Sequence, residues 1–149
     1  MEEARMNILV SRCLLGEPCR YDGRSVPVPE LEKLRQAGHV LIPVCPEVLG
    51  GLPTPRSPAE RQPDGRVVNR AGEDVTAAYL EGAGRTLALA LEAGCTLAVL
   101  KAKSPSCGCH EIYDGSFTGR LVPGQGVAAR LLEESGIRVV DETELDSLL

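Results

Sequence analysis

Short apolar runs recur along the chain at Asn7–Ser11, His39–Val44, Cys95–Lys101 and Ile137–Val140. Each is continuous rather than alternating, the pattern of parallel strands covered on both faces. Between and after these runs the hydrophobic period lengthens to that of helices. Pro29 opens Pro-Glu-Leu-Glu-Lys-Leu-Arg-Gln-Ala, and proline suits the first helical position. Asp74 can cap a helix running to about Ala93, with Val75, Ala78, Tyr79 and Leu89 on related faces. Val127–Ser135 gives a third helix and Thr143–Leu148 a short fourth. Gly38, Gly94 and Gly136 each stand where a helix hands over to a strand, a place that favours a left-handed residue. The succession predicts right-handed crossovers and a single α/β domain over residues 1–149. Its expected architecture is doubly wound (Rossmann-like or flavodoxin-like), a mainly parallel sheet in the order 2-1-3-4 with helices on both faces.

Two stretches are too long for plain connections. Cys45–Gly72 holds five prolines and four glycines and reads as an ordered loop. Ala102–Gly126 carries Ser-Pro-Ser-Cys-Gly-Cys and then Tyr-Asp-Gly-Ser-Phe-Thr-Gly, a hairpin signal with Asp114-Gly115 at the turn. Loops beyond ~12–15 residues in a compact domain are usually functional or disordered. These hold no low-complexity tract, so they read as functional.

Composition narrows the partners. Apolar residues are 43% and charged residues 25% of the 149, a normal balance for a globular domain. Aromatics are only 3%, with no tryptophan, and the formal charge is −5. A general single-strand binder needs stacking platforms and a basic track, so no extended nucleic-acid surface is expected. No apolar run approaches the ~18 residues of a membrane span. Met1-Glu2-Glu3-Ala4-Arg5 is acidic and unlike a signal peptide, which points to a cytoplasmic protein with no membrane partner.

Six cysteines in such a setting favour metal binding or thiol chemistry over disulfides. Cys-x-x-Cys is absent, against a thioredoxin-type dithiol and an ordinary zinc ribbon. Cys13, Cys45 and Cys107 follow the first three strands, so all three belong at the carboxyl edge of the sheet, where ligands bind. Cys95 opens the third strand at the opposite edge and reads as a small buried residue. Cys19 and Cys109 lie on the loop side, as spectators, a fourth ligand or redox partners. Zinc would add Cys109 or His110 to the three thiolates. A 4Fe-4S cluster held by three cysteines would leave one iron open to substrate. Spacing alone leaves both open.

Taken together, three motifs resemble the thiouracil desulfidase family. They are Cys13-Leu-Leu-Gly-x-x-Cys19-Arg-Tyr-Asp-Gly, Cys45-Pro-Glu-Val-Leu-Gly-Gly-Leu-Pro-Thr-Pro-Arg56, and Lys103-Ser-Pro-Ser-Cys107-Gly with Ile112-Tyr-Asp-Gly-Ser-Phe-Thr-Gly119. The likeness runs in order from about Asn7 to Val140. It implies a small α/β fold, a 4Fe-4S cluster on Cys13, Cys45 and Cys107, and non-redox removal of sulfur from thiolated uracil. It also implies a catalytic carboxylate at Glu47 and a catalytic serine within Ser104-Pro-Ser106, Ser104 first. The extra Cys109, beside His110, departs from the pattern. The expected partner is a small thiolated nucleobase or nucleoside.

The residue chemistry fits that reaction. Thiocarbonyl sulfur is soft and prefers an open iron to a hard cation. Glu47, two residues from Cys45, can serve as base toward an attacking water. Ser104 or Ser106 can orient the water or the ring, and Lys101, Lys103, Arg20 and Arg56 flank the loops as contacts for ring oxygens or a phosphate. The rival readings are a zinc-dependent hydrolase on the same thiolates and a non-catalytic iron–sulfur or redox-sensing module. Tyr21-Asp22-Gly23 and Tyr113-Asp114-Gly115 read as turns, and His39 as structural. The oligomeric state is left open.

Overall fold

A computed structural model describes residues 5–148 of the chain; the acidic stretch Met1–Ala4 lies outside the described residues. Four parallel strands form the central sheet: β1 (Asn7–Ser11), β2 (Val40–Val44), β5 (Leu97–Leu100) and β8 (Arg138–Asp141), in the order β2-β1-β5-β8. This is the expected 2-1-3-4. The helices are α1 (Leu31–Gln36), α2 (Pro46–Leu49), α3 (Thr76–Glu92) and α4 (Val127–Glu134). Short 3-10 segments follow β1 (Arg12–Leu15) and β8 (Glu142–Leu148).

Alternation along the strands explains the layers. Ile8 and Val10 of β1, with Leu97 and Val99 of β5, pack against Leu31 and Leu34 of α1 and Leu145 of the last 3-10 segment. Leu9, Ala98 and Leu100 point the other way, onto Ala90 of α3 and Ala129 and Leu132 of α4. Ile8, Leu9 and Val10 are wholly buried, so β1 is covered on both faces, as its unbroken apolar run requires. Each such Leu or Ile contributes roughly 1.5–3 kcal/mol by leaving water. The buried stripe of α3 runs through Tyr79, Gly82, Ala83, Thr86 and Ala90, at helical spacing. The cap position of α3 falls to Val75, one residue after the expected Asp74, whose carboxylate accepts the Thr76 N–H at 2.9 Å from just before the helix. The three helix-to-strand glycines take φ of +97°, +69° and +88°.

The strands begin and end within two residues of the expected bounds, because flanking residues such as His39 and Cys95 serve the turns instead. His39 is structural, its Nδ1 accepting the Met6 N–H at 3.1 Å. Helix α1 starts at Leu31 rather than Pro29, with Pro29 and Glu30 forming the turn before it.

The larger difference lies in the first long loop. Within Cys45–Gly72 the chain forms α2 and a hairpin of β3 (Ala59–Arg61) and β4 (Val67–Asn69). Pro46 at the first position makes α2 possible despite its four residues. That helix lies directly on α3: a Cβ on Gly82 would stand 2.0 Å from the Pro46 carbonyl oxygen, and one on Gly50 2.0 Å from that of Ala78. Only glycine permits this backbone contact, which fixes the segment carrying Glu47. The second long loop contains the expected hairpin, β6 (Glu111–Tyr113) with β7 (Leu121–Pro123), its Asp114–Arg120 loop wider than a two-residue turn. No described helix is long and apolar enough to cross a membrane.

Candidate active site

The carboxyl ends of β1, β2 and β5 open into one cavity of about 540 Å³, within the usual range for small-molecule sites. It sits at the crevice between β1 and β5, where the strand order reverses. The crevice is stitched by the Lys101 N–H, which donates to Ser11 Oγ at 2.9 Å.

Cys13, Cys45 and Cys107 all line this cavity, and so does Cys19. Topology delivers each thiol: Cys13 lies on the 3-10 turn after β1, Cys45 caps α2 directly after β2, and Cys107 lies in the loop after β5. All are nearly buried. The Cys45 thiol is pushed far up by its hydrogen bond with Cys19, by burial and by the charge of Glu47. Cys19 is raised by its bond with Cys13. Burial and Glu47 push Cys107 far up as well, opposed by the hydroxyls of Ser11 and Ser104. Thiols gathered this closely suit a thiophilic metal centre: a coordinating cation deprotonates thiols that otherwise hold their protons. The donor set therefore fits an iron–sulfur cluster bound at three or four sulfurs.

Glu47 also lines the cavity, presented by α2. Ser104 does too, and its Oγ accepts the N–H groups of Ser106 and Cys107, each at 3.1 Å, which shapes the turn that carries Cys107. Ser106 lies deeper: it is wholly buried, is absent from the cavity wall, and its Oγ has no partner among the described residues. Arg20, Lys101 and Lys103 line the cavity. Lys101 Nζ also reaches Glu142 at 3.2 Å. Arg56 instead stands behind the wall, paired with Glu47 at 2.8 Å and bound to the Cys19 carbonyl at 3.2 Å. Cys95 lies in the core under α3. Cys109 and His110 gather outside the cavity with Asp141 and Glu144. Burial and the neighbouring carboxylates push the Cys109 thiol up to about 12.

Several wall residues escaped the sequence reading. The chain has three tyrosines, one phenylalanine and no tryptophan, and all four aromatic side chains line this cavity: Tyr21, Tyr79, Tyr113 and Phe117. Arg70 stacks over Phe117 at 5.7 Å and Arg20 over Tyr21 at 5.8 Å. Phe117 holds φ +58°, uncommon for a bulky side chain. Its N–H and that of Gly115 both donate to Glu60 Oε1, at 3.1 and 2.9 Å, so a nearly buried carboxylate on the other hairpin fixes the strained loop. The scarcity of aromatics was itself the available signal, since three of the four fall in Tyr-Asp-Gly and Ser-Phe-Thr turns.

Three comparisons agree with this geometry. The family model for 2-thiouracil desulfurase matches residues 8–144. The Bacillus subtilis (strain 168) protein YbbK, described as uncharacterized, is 43% identical over 95% of this chain and 99% of its own. A solved structure described as a 4Fe-4S-dependent thiouracil desulfidase, TudS, is 46% identical. It superposes with a TM-score of 0.89 over 97% of this chain and 95% of that one. With the family model spanning nearly the whole fold, the chain belongs to the 2-thiouracil desulfurase family.

Proposed function

We propose that this protein converts thiouracil-class bases to their oxo forms at a 4Fe-4S cluster held by Cys13, Cys45 and Cys107. In the balanced reaction a thiocarbonyl and one water give a carbonyl and one hydrogen sulfide. The observation that carries the reading is the meeting of three remote thiols, the Glu47 carboxylate and all four Tyr and Phe rings of the chain in one cavity. When bound, the cluster supplies a soft Lewis-acidic iron for the thiocarbonyl sulfur.

The protein's own groups do the rest. The rings flank a planar base and keep it oriented by stacking. Glu47 takes the proton from the attacking water; Oε2 is held by Arg56, which leaves Oε1 for the water. The Ser104 hydroxyl, whose oxygen already accepts two backbone N–H groups, donates its proton toward water or substrate. Arg20, Lys101 and Lys103 supply donors for ring oxygens or for a ribose or phosphate substituent. The reaction changes no net oxidation state, so no electron donor is consumed. A free base or nucleoside is the fitting substrate, in a cytoplasmic setting, with residues 1–149 acting as one unit. Cys109 and His110 stand with Asp141 and Glu144, which removes the fourth ligands that a zinc hydrolase at this cavity called for.

Anaerobic reconstitution with iron and sulfide, followed by assay on 2-thiouracil, 4-thiouracil and uracil, tests the proposal. One sulfide per uracil formed, without added reductant and with uracil itself unreacted, is expected. A protein that takes stoichiometric zinc and cannot assemble iron, or one that needs reductant in every turnover, overturns it.

A further inference from the structure

Cys109, His110, Asp141 and Glu144 bring one sulfur, one imidazole nitrogen and two carboxylates together, with donor atoms all within 4.8 Å of one another. None of the four lines the large cavity. We propose that they form a second, separate metal site, selective for zinc or a zinc-like divalent cation.

The donor set is the first argument. Zinc takes Cys, His and carboxylate ligands in a four-coordinate tetrahedral site. Calcium and magnesium take oxygen ligands, and copper(I) favours all-sulfur sets, so a mixed sulfur, nitrogen and oxygen group selects against both. The group is not a surface acidic cluster: Cys109 is 6% exposed and Asp141 5%.

Geometry is the second. With bonds of ~2.0–2.3 Å, donors around a tetrahedral ion stand roughly 3.3–3.8 Å apart. Cys109 Sγ lies 4.0 Å from Glu144 Oε1, close to that spacing. His110 Nε2 lies 2.5 Å from the same oxygen, a hydrogen bond that opens to admit the ion. The His110 side chain is 58% exposed, so its ring has room to turn.

The third argument is the support behind the ligands. Thr143 holds the Asp141 carboxylate through its N–H and its hydroxyl, both on Oδ1, which leaves Oδ2 for a cation. The Asp141 N–H donates to Glu144 Oε1 at 3.0 Å, which holds the Glu144 carboxylate against the end of β8. Outer hydrogen bonds of this kind are what orient metal ligands. Among the described residues the nearly buried Asp141 carboxylate accepts hydrogen bonds from Thr143 alone, and a divalent cation would add a charged partner to it. Filled, the site would tie the loop bearing Cys107, two residues before Cys109, to the end of β8.

The test uses the full, cluster-reconstituted chain, titrated with zinc against a chromophoric chelator and then measured at the zinc X-ray absorption edge. One zinc per chain with one sulfur and otherwise nitrogen or oxygen neighbours is expected. Cys109→Ala and Asp141→Asn should each weaken zinc binding at least about tenfold. Glu144→Gln stands in should either fail to fold, as judged by its thermal transition. Two or more sulfur neighbours would place zinc on the cavity thiols and overturn the proposal. So would unaltered affinity in the folded variants, or no stoichiometric zinc. The readout is zinc rather than turnover, so it stands or falls independently of the desulfuration reading.

Discussion

Arg56 holds Glu47 by one oxygen: Nη2 donates to Oε2 at 2.8 Å, with side chains only 6% and 14% exposed. The same guanidinium binds the Cys19 carbonyl, the Pro53 carbonyl and Thr54 Oγ1, so it ties the Glu47 helix to the cysteine loop. General-base assistance contributes about 10²–10⁴-fold in rate. Glu47→Gln should therefore keep a normal cluster spectrum and lose at least about a hundredfold in desulfuration. Arg56→Ala leaves a buried carboxylate without its partner and should cost about 3–5 kcal/mol of stability, read by denaturant unfolding. Arg56→Lys keeps the charge but not the fork, and should fall between. Near-normal turnover by a cluster-loaded Glu47→Gln variant would move the base role to Ser104 or another group.

The cysteines separate by position. Cys13, Cys45 and Cys107 share the cavity wall, whereas Cys95 sits in the core beneath α3. Replacing any of the first three with alanine should abolish stable cluster retention after anaerobic reconstitution, measured as iron per chain. Cys95→Ala should retain the full iron content, with at most a modest fall in thermal stability from the lost packing. Iron loss in Cys95→Ala, with its fold intact, would contradict this assignment.

The parallel sheet was legible because its strands are continuous apolar runs joined by glycine-ended helices, and the shared edge of Cys13, Cys45 and Cys107 was legible because each of these three follows a strand. The hairpin of β3 and β4 was not, since three-residue strands carry no usable period and Glu60 and Arg61 interrupt any apolar pattern. The roles of Glu60, Tyr79 and Arg70 depend on contacts between distant segments: Glu60 meets the Phe117 N–H across 57 positions of sequence. Arg56 illustrates the same limit. Sequence reading placed it with the cavity lysines as a substrate contact, and packing commits its charge to Glu47 instead.

Asp74 gives a pH prediction remote from the cavity. Its carboxyl is held below the ordinary 3.8 by hydrogen bonds from the Thr76 side chain and backbone at the start of α3. A carboxylate with a lowered folded value stabilises the fold above its unfolded value and loses that contribution as pH falls through the folded one. Asp74→Ala should thus lower the thermal midpoint at neutral pH, with the gap narrowing only below about pH 4, near the aspartate reference value. The group is exposed, so salt should also shrink the gap. A gap that stays constant down to about pH 2, well below that reference value, would assign the effect to something other than this charge.

Phe117 is the sharpest test of how the base is held. It is the one phenylalanine of the chain, lies at the tip of the β6–β7 loop, and faces the cavity beneath Arg70. Its φ of +58° is unfavourable for a large side chain, and Glu60 maintains it by accepting two backbone N–H groups. Strain of this kind costs on the order of 1–3 kcal/mol and persists where the surroundings over-determine it. A ring held there at such cost is suited to stacking on a planar substrate. Stacking of a base on an aromatic side chain is worth about 1–3 kcal/mol. Phe117→Leu keeps apolar volume and backbone strain while removing the ring, so KM for 2-thiouracil should rise roughly five- to 150-fold. If stacking acts equally on substrate and transition state, kcat should change far less. Phe117→Tyr should remain near the parent in both constants. A fall in kcat with KM unchanged would show that the ring positions the reacting atoms rather than binding the base, and unchanged kinetics in Phe117→Leu would remove it from the site.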